Sequence, residues 1–300
     1  EDKSITLTQK GLIEKIISET KMEDCNPNYT PAAKEPLGID PEGKPYEEDW
    51  EYSRIAGMLQ YLSTNSRMDI AYAVSQIARF THNPKKSHAT AVKTIIRYLK
   101  GTKDKGTIIK LTPDDLSLDV WVDANFAGQY GVDHQDDPTS AKSRMGYVIT
   151  LAGCPLVWKS SLIQEICLSS CQSEYTAISV ALRTLIPIQR LLKEMAKEVG
   201  MTEEIRSTIS SRVLEDNAAA HQLATQQRLS PRTRCYNCKL HHFWSHVRGS
   251  PHNNADENEN GDSADLIILK IPTDIQHADF LTKGNPRDTF EKIHKLNMGW

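Results

Sequence analysis

Apolar positions recur at helical spacing through the first hundred residues. Over 9–17, Leu12, Ile13, Ile16 and Ile17 share one face, which predicts an amphipathic helix. Ile55, Met58, Leu59 and Leu62 make a second stripe, and Ile70, Ala73, Val74 and Ile77 a third within 69–80. A fourth covers 91–99 and should stop at Gly101, the residue type a helix C-terminus favours. Between the first two stripes, 26–49 is rich in Pro, Asp and Glu and reads as loop.

After Gly106 the period shortens. Leu118, Val120 and Val122 alternate with Asp119, Trp121 and Asp123, the pattern of a half-buried strand. The runs 146–151 and 156–158 flank Gly153-Cys154-Pro155, which signals a hairpin. A short strand is expected over 166–168. A long amphipathic helix follows through Ile178, Leu182, Leu185, Leu192, Met195 and Val199, with Pro187 expected to kink it. Then come a strand at 212–214, a short helix at 218–225, a strand at 266–271 and terminal helices. A meander of strands followed by helix-linked β-units predicts an α/β fold, a mixed sheet with helices on its faces. The chain divides on this reading into a small, mainly helical segment, 1–110, and a sheet domain, 111–300.

Composition narrows the class. Three hundred residues with 39% hydrophobic and 25% charged side chains exclude wholesale disorder and fibrous repeats. No run of 18 apolar residues exists, so no transmembrane helix is expected. The start, Glu1-Asp2-Lys3-Ser4, has neither a signal-peptide pattern nor an initiator Met, so the chain reads as a piece of a longer one. Six unevenly spaced cysteines suggest reduced thiols. The net charge of −3 is unevenly spread: 81–110 carries eight Lys/Arg against Asp104 alone, a candidate phosphate-tracking face or a solvated one. Residues 251–263, acidic and polar, are expected to form a mobile loop.

Several acids fall at the ends of predicted elements: Asp123, Glu174, Asp216 and Asp279. Strand ends converge in an α/β sheet, and carboxylates gathered there either repel or share a hard cation such as Mg²⁺ or Mn²⁺. Their spacings are no motif, and capping or solvation is the plain alternative. Cys235, Cys238, His241, His242 and His246 have zinc-like chemistry, but the ligand pairs lack the usual intervening loop. A helix with buried thiols and surface histidines is the expectation there. Arg232 and Arg234 are candidate phosphate contacts, as are Lys142 and Lys159 unless merely solvated. Neither a nucleophile elbow nor a Gly-rich phosphate loop is present, which argues against a serine hydrolase or an NTPase.

The words around these acids carry a resemblance. Val122-Asp123-Ala124-Asn125-Phe126-Ala127-Gly128 is similar to the S-D-A-D-W-A-G segment of Ty1/copia-type retrotransposon polyproteins. Lys142-Ser143 before Gly146-Tyr147, and Trp158-Lys159, resemble K-S-x-x-G-Y and S-W-K-S. The stretch 168–175 resembles L-S-S-A-E-A-E-Y, Glu215-Asp216-Asn217 resembles C-D-N, and 278–283 matches A-D-x-L-T-K. Upstream, 52–62, 67–75 and 97–102 look like Y-R-x-L-V-G-S-L-L-Y-L, R-P-D-I-A-Y-A-V-S and R-Y-L-K-G-T. Departures are Gln172 for a family Glu, Asn125 for a family Asp, and Cys235 for a family His.

The resemblance implies an RNase H-like mixed five-stranded sheet over 111–300, preceded by the thumb or connection segment of a reverse transcriptase over 1–110. The polymerase Y-V-D-D motif is absent from this chain. It further implies a two-metal ribonuclease that cleaves the RNA strand of RNA–DNA hybrids. Asp123, Glu174, Asp216 and Asp279 would be its catalytic and metal-binding set, with two Mg²⁺, or Mn²⁺, as cofactor. Lys93, Arg97, Lys100, Lys142, Lys159, Arg232, Arg234 and His242 would be nucleic-acid contacts. The partners implied are the hybrid and an upstream polymerase part of the same polyprotein, without a membrane. The location implied is intracellular, in a cytoplasmic virus-like particle or the nucleus. The alternative is a degenerate remnant that binds nucleic acid without cleaving it.

Overall fold

A computed structural model describes residues 4–110, 116–132, 138–228, 233, 236, 238–248 and 266–300. The four expected helices form over α1 (Lys10–Glu19), α2 (Tyr52–Asn65), α3 (Ala71–Ile77, flanked by 3₁₀ turns) and α4 (Lys86–Gly101). Gly101 is the last residue of α4 rather than the residue beyond it, and Thr102 takes the C-cap. Two short strands, β1 (Ile5–Leu7) and β2 (Thr107–Ile109), pair antiparallel and close the helical segment at its ends. Periodicity does not foretell them, because three residues are too few to display a period.

The sheet has five strands in the order β5-β4-β3-β6-β7. β3 (Leu118–Asn125), β4 (Arg144–Leu151) and β5 (Cys154–Leu162) form the antiparallel meander. β6 (Ser211–Glu215) and β7 (Leu266–Lys270) add parallel strands on the other side of β3. That order and sense make the expected RNase H-like mixed sheet. The hairpin turns at Ala152 (φ 51°) and Gly153 (φ 77°), two left-handed residues that suit a tight strand reversal.

α5 (Ser170–Glu198) runs unbroken through Pro187, α6 (Glu203–Ser207) is short, and α7 (Ala218–Gln226) follows β6. Residues 166–168 are not a strand. They lead into α5, where the Leu168 amide donates to Gln172 Oε1 at 2.8 Å and Ser169 Oγ caps the helix by accepting from the Gln172 amide. Asp279 opens a 3₁₀ turn (Asp279–Leu281), and the last helix, α8, begins only at Arg287 (Arg287–Met298). The acidic stretch 251–263 lies outside the described residues.

Each face of the sheet covers its own core. Val120, Val122, Tyr147 and Val213 pack under α5 and α7 against Ile178, Leu182 and Leu223. On the opposite face, Val148, Trp121 and Trp158 meet the helical segment, whose core also takes in Phe280, Leu281, Phe290, Ile293 and Met298. Trp158 Nε1 donates to the Ser63 carbonyl at 2.6 Å, and Trp300 Nε1 to the Gly106 carbonyl at 2.6 Å. The first 110 residues and the C-terminal helix therefore share one apolar interior. Among the described residues Cys25, Cys154, Cys167 and Cys171 are free thiols, and no helix is long and apolar enough to cross a membrane.

Candidate active site

Asp123 stands near the C-terminal end of β3, beside the 278–282 turn that supplies Thr282. Glu174 stands in the first turns of α5, held there by the Ser169 cap. Asp216 follows β6 directly, and Asn217 starts α7 by accepting from the Ala219 and Ala220 amides at 3.0 and 3.1 Å. One ligand oxygen from each of Asp123, Glu174 and Asp216 lies within 4.8 Å of the others. Residues separated by 51 and 42 positions thus meet in one acidic cluster.

Asp279 stands beside that trio rather than within it. Its carboxylate pairs with Lys283 one turn on, and its charge helps to hold a proton on Asp123. The Thr282 hydroxyl donates to Asp123 Oδ2 and fixes the orientation of that carboxyl. Gln276 anchors the whole turn, donating to the Val122 carbonyl at 2.8 Å. His277 stacks on Trp121 with ring centroids 3.7 Å apart, and burial pushes its imidazole down to about 4.

The cluster is electrostatically strained. Burial, and then the Asp279 carboxylate, push Asp123 up to about 6. Burial, and then Glu215 and Asp123, push Glu174 well above the usual carboxylate range. Glu215 is itself fully buried and raised by burial. Its Oε1 accepts from the Asn217 amide at 2.9 Å, while Oε2 has no hydrogen-bond partner, and neither has Glu174 Oε2. Sequence reasoning passed over Glu215, although the period of two along β6 puts it on the face of Val213, toward α5. Crowded carboxyl oxygens with unused lone pairs, whose charged forms a cation would favour, are the donor set a hard divalent cation takes.

The candidate nucleic-acid residues are scattered. Lys93 pairs with Glu48 at 2.6 Å, Arg97 Nε donates to the Asn26 carbonyl at 2.6 Å, and Lys100 binds the Glu23 and Cys25 carbonyls. These three tie the 23–48 loop onto α4. Lys142 lines a cleft between the helical segment and the sheet, and Lys159 is exposed on β5. His242 is exposed near Ser179. Arg232, Arg234 and Cys235, and the side chain of Cys238, lie outside the described residues. His241 Nδ1 is engaged by the Tyr175 hydroxyl at 2.7 Å, and its ring stacks on Trp244.

No family profile matches the chain. Among curated proteins, the retrovirus-related Pol polyprotein from transposon TNT 1-94 of Nicotiana tabacum is 30% identical over 98% of this chain and 20% of its own length. That from transposon RE1 of Arabidopsis thaliana is 30% identical over 96% of this chain and 17% of its own. Among solved structures, the N-terminal RNase H domain of rv2228c from Mycobacterium tuberculosis overlaps 60% of this chain and 98% of its own, at 12% identity and a TM-score of 0.32. The chain spans about a fifth of the length of the curated relatives it matches. It belongs, over nearly its whole length, to the retrovirus-related Pol polyproteins of Ty1/copia-type transposons.

Proposed function

We propose that the sheet domain is a divalent-metal ribonuclease that cuts the RNA strand of RNA–DNA hybrids during retrotransposon reverse transcription. The observation that carries this reading is the convergence of Asp123, Glu174 and Asp216 within 4.8 Å at one end of an RNase H-like sheet. In that role the three carboxylates would hold the cations, with Asp279 completing the set from the adjoining turn. When bound, a pair of Mg²⁺ ions would make water a stronger nucleophile and neutralise charge on the departing 3′ oxygen.

The protein's own groups prepare for that charge. Burial and neighbouring carboxylates raise the Asp123 and Glu174 carboxyls, and a bound cation would favour their charged forms. Thr282 fixes the rotamer of Asp123, and Lys283 offsets the charge of Asp279. A 2′-hydroxyl distinguishes the strand to be cut from its DNA partner. Lys142, Lys159, Arg232, Arg234 and His242 are proposed phosphate contacts, and Lys93, Arg97 and Lys100 would have to share their intramolecular ties with phosphate. The upstream polymerase part of the same polyprotein, and an intracellular setting in a virus-like particle or the nucleus, belong to the same proposal.

A 5′-labelled hybrid incubated with the whole chain tests it. Products should appear with Mg²⁺, disappear with EDTA, and be absent when the labelled strand is DNA. Cleavage that survives EDTA, or none under any divalent cation, would overturn the reading.

A further inference from the structure

Of the acidic trio, Asp216 is the member that neither a strand nor a helix carries. It stands half-buried in the short corner between β6 and α7, so its carboxylate goes where the main chain of that corner puts it. Asp123 is different, because the Thr282 hydroxyl orients it directly.

The residues on either side of Asp216 tie the corner down. The Ile271 amide donates to the Glu215 carbonyl at 2.9 Å, which fastens the end of β6 to the chain leaving β7. Asn217 is fixed from the other side, since its Oδ1 caps α7 and its carbonyl accepts from the His221 amide at 3.0 Å. The two neighbours are also joined to each other. The Asn217 amide donates to Glu215 Oε1 at 2.9 Å, so a side chain from the residue before Asp216 holds the amide of the residue after it. Asp216 is thereby bracketed within a closed local ring.

Glu215 is an unusual choice for this task. Its side chain is fully buried, and its Oε2 has no hydrogen-bond partner, which costs stability. It lies outside the 4.8 Å ligand set, on the Val213 face of β6. The segment C-D-N that 215–217 resembles has a thiol at this position. A cysteine side chain is shorter, and its sulfur is a weak acceptor, so it could not hold the Asn217 amide in the same way. The carboxyl can accept that amide whether it is charged or protonated, so the contact does not depend on its titration.

We propose that Glu215 is the positioning residue of Asp216: by accepting the Asn217 amide it fixes the β6–α7 corner, and with it the placement of Asp216 for a divalent cation. The inference rests on the ribonuclease reading for the presence of a cation at the trio. Removing a group that orients a metal ligand lowers affinity by about 10–100-fold.

The test titrates Mn²⁺ alone into the whole chain by calorimetry and compares wild type, Glu215→Gln and Glu215→Met. Gln keeps an oxygen for the Asn217 amide and removes the acid, whereas Met keeps the length and removes the acceptor. The Gln variant should bind Mn²⁺ within about threefold of wild type, and the Met variant at least about tenfold more weakly. Hydrogen exchange of the Asn217 amide without metal should quicken in the Met variant and stay slow in the Gln variant. A purely structural role would lower the melting temperature but leave the Mn²⁺ affinity of the folded protein unchanged. Should the Met variant not fold, Glu215→Cys makes the same comparison. Equal Mn²⁺ affinities in the folded proteins would overturn the proposal alone. So would a Gln variant as weak as the Met variant, since charge and not the acceptor would then be responsible. No Mn²⁺ binding by wild type would overturn the ribonuclease reading and this proposal with it.

Discussion

Gly146 lies directly across the β3–β4 ladder from Asp123, and its missing side chain is what lets the 278–282 turn reach that carboxylate. A Cβ at Gly146 would stand 2.6 Å from Leu281 Cβ, 3.0 Å from Thr282 Cγ2 and 3.2 Å from the Ala278 carbonyl. None of those atoms is the free end of a flexible side chain. Gly146→Ala should push the turn outward and break the Thr282–Asp123 hydrogen bond. The expected result is at least a tenfold fall in kcat on hybrid, with overpacking costing about 1–3 kcal/mol of stability. Gly57→Ala is the comparison, since its Cβ meets nothing within 4 Å on α2 and Ala favours a helix by about 0.5–1 kcal/mol. Chemical denaturation and single-turnover cleavage of both variants check this.

Acidity and stability are linked at the same carboxylate. The folded state holds the Asp123 proton up to about pH 6, whereas the unfolded chain releases it near the ordinary aspartate value of 3.8. Between those values the native state binds more protons than the unfolded one, so stability falls as pH rises through the window and stays lower above it. Without metal, the protein should lose up to about 3 kcal/mol from this group between pH 4 and pH 7. Asp123→Asn should remove that part of the slope, and saturating Mg²⁺ should restore stability to wild type at pH 7 but much less to the variant. Urea melts across pH, with and without Mg²⁺, measure both effects. A variant whose pH slope matches wild type would contradict the assignment.

The shared interior predicts that the sheet domain does not stand alone. Removing 1–110 would uncover Phe280, Leu281, Phe290, Ile293 and Met298 together with Trp121 and Trp158. Exposed apolar surface on that scale promotes association. The 111–300 fragment should therefore aggregate or melt far below the whole chain, and co-expression with 1–110 should rescue it. Scanning calorimetry and gel filtration report the outcome.

Deeper in that interior, Arg67 and Asp69 form an ion pair at 2.8 Å with neither side chain exposed, and the Tyr98 hydroxyl donates to Asp69 at 2.7 Å. Burial alone would raise the Asp69 carboxyl, but Arg67 outweighs it and holds the group below the usual range. Asp69→Ala leaves Arg67 charged and unpaired, at a cost of about 3–5 kcal/mol. Tyr98→Phe removes one hydrogen bond to a charged group and should cost about 1.5–3 kcal/mol. Urea midpoints should keep that order.

Much of this fold was legible in sequence because its elements are long and one-sided. Leu118, Val120 and Val122 face one core through strict alternation, and Asp123 falls at the strand end by the same count. The resemblance of 278–283 to A-D-x-L-T-K pointed to Asp279, but not to the 3₁₀ turn that presents it. What stayed hidden depends on contacts between distant residues. Ile5 pairs with Ile109 across more than a hundred positions, with no local signal at either end. Lys93, Arg97 and Lys100 look like an open basic face until the 23–48 loop folds over them. Leu168 is apolar and β-like by neighbourhood, yet Gln172 captures its amide for the entry to α5. Glu215 sits behind the acidic trio because strand period, rather than motif, placed it there.

The most direct measurement compares wild type with Asp123→Asn in single-turnover cleavage of the RNA strand of a hybrid with Mg²⁺, after circular dichroism shows both folded. Loss of one ligand from the 4.8 Å cluster should lower the cleavage rate by about a thousandfold or more, at least 4 kcal/mol of transition-state stabilisation. Asp123→Asn should melt no lower than wild type without metal. Equal cleavage rates for the two folded proteins would contradict the assignment of this cluster as the active site.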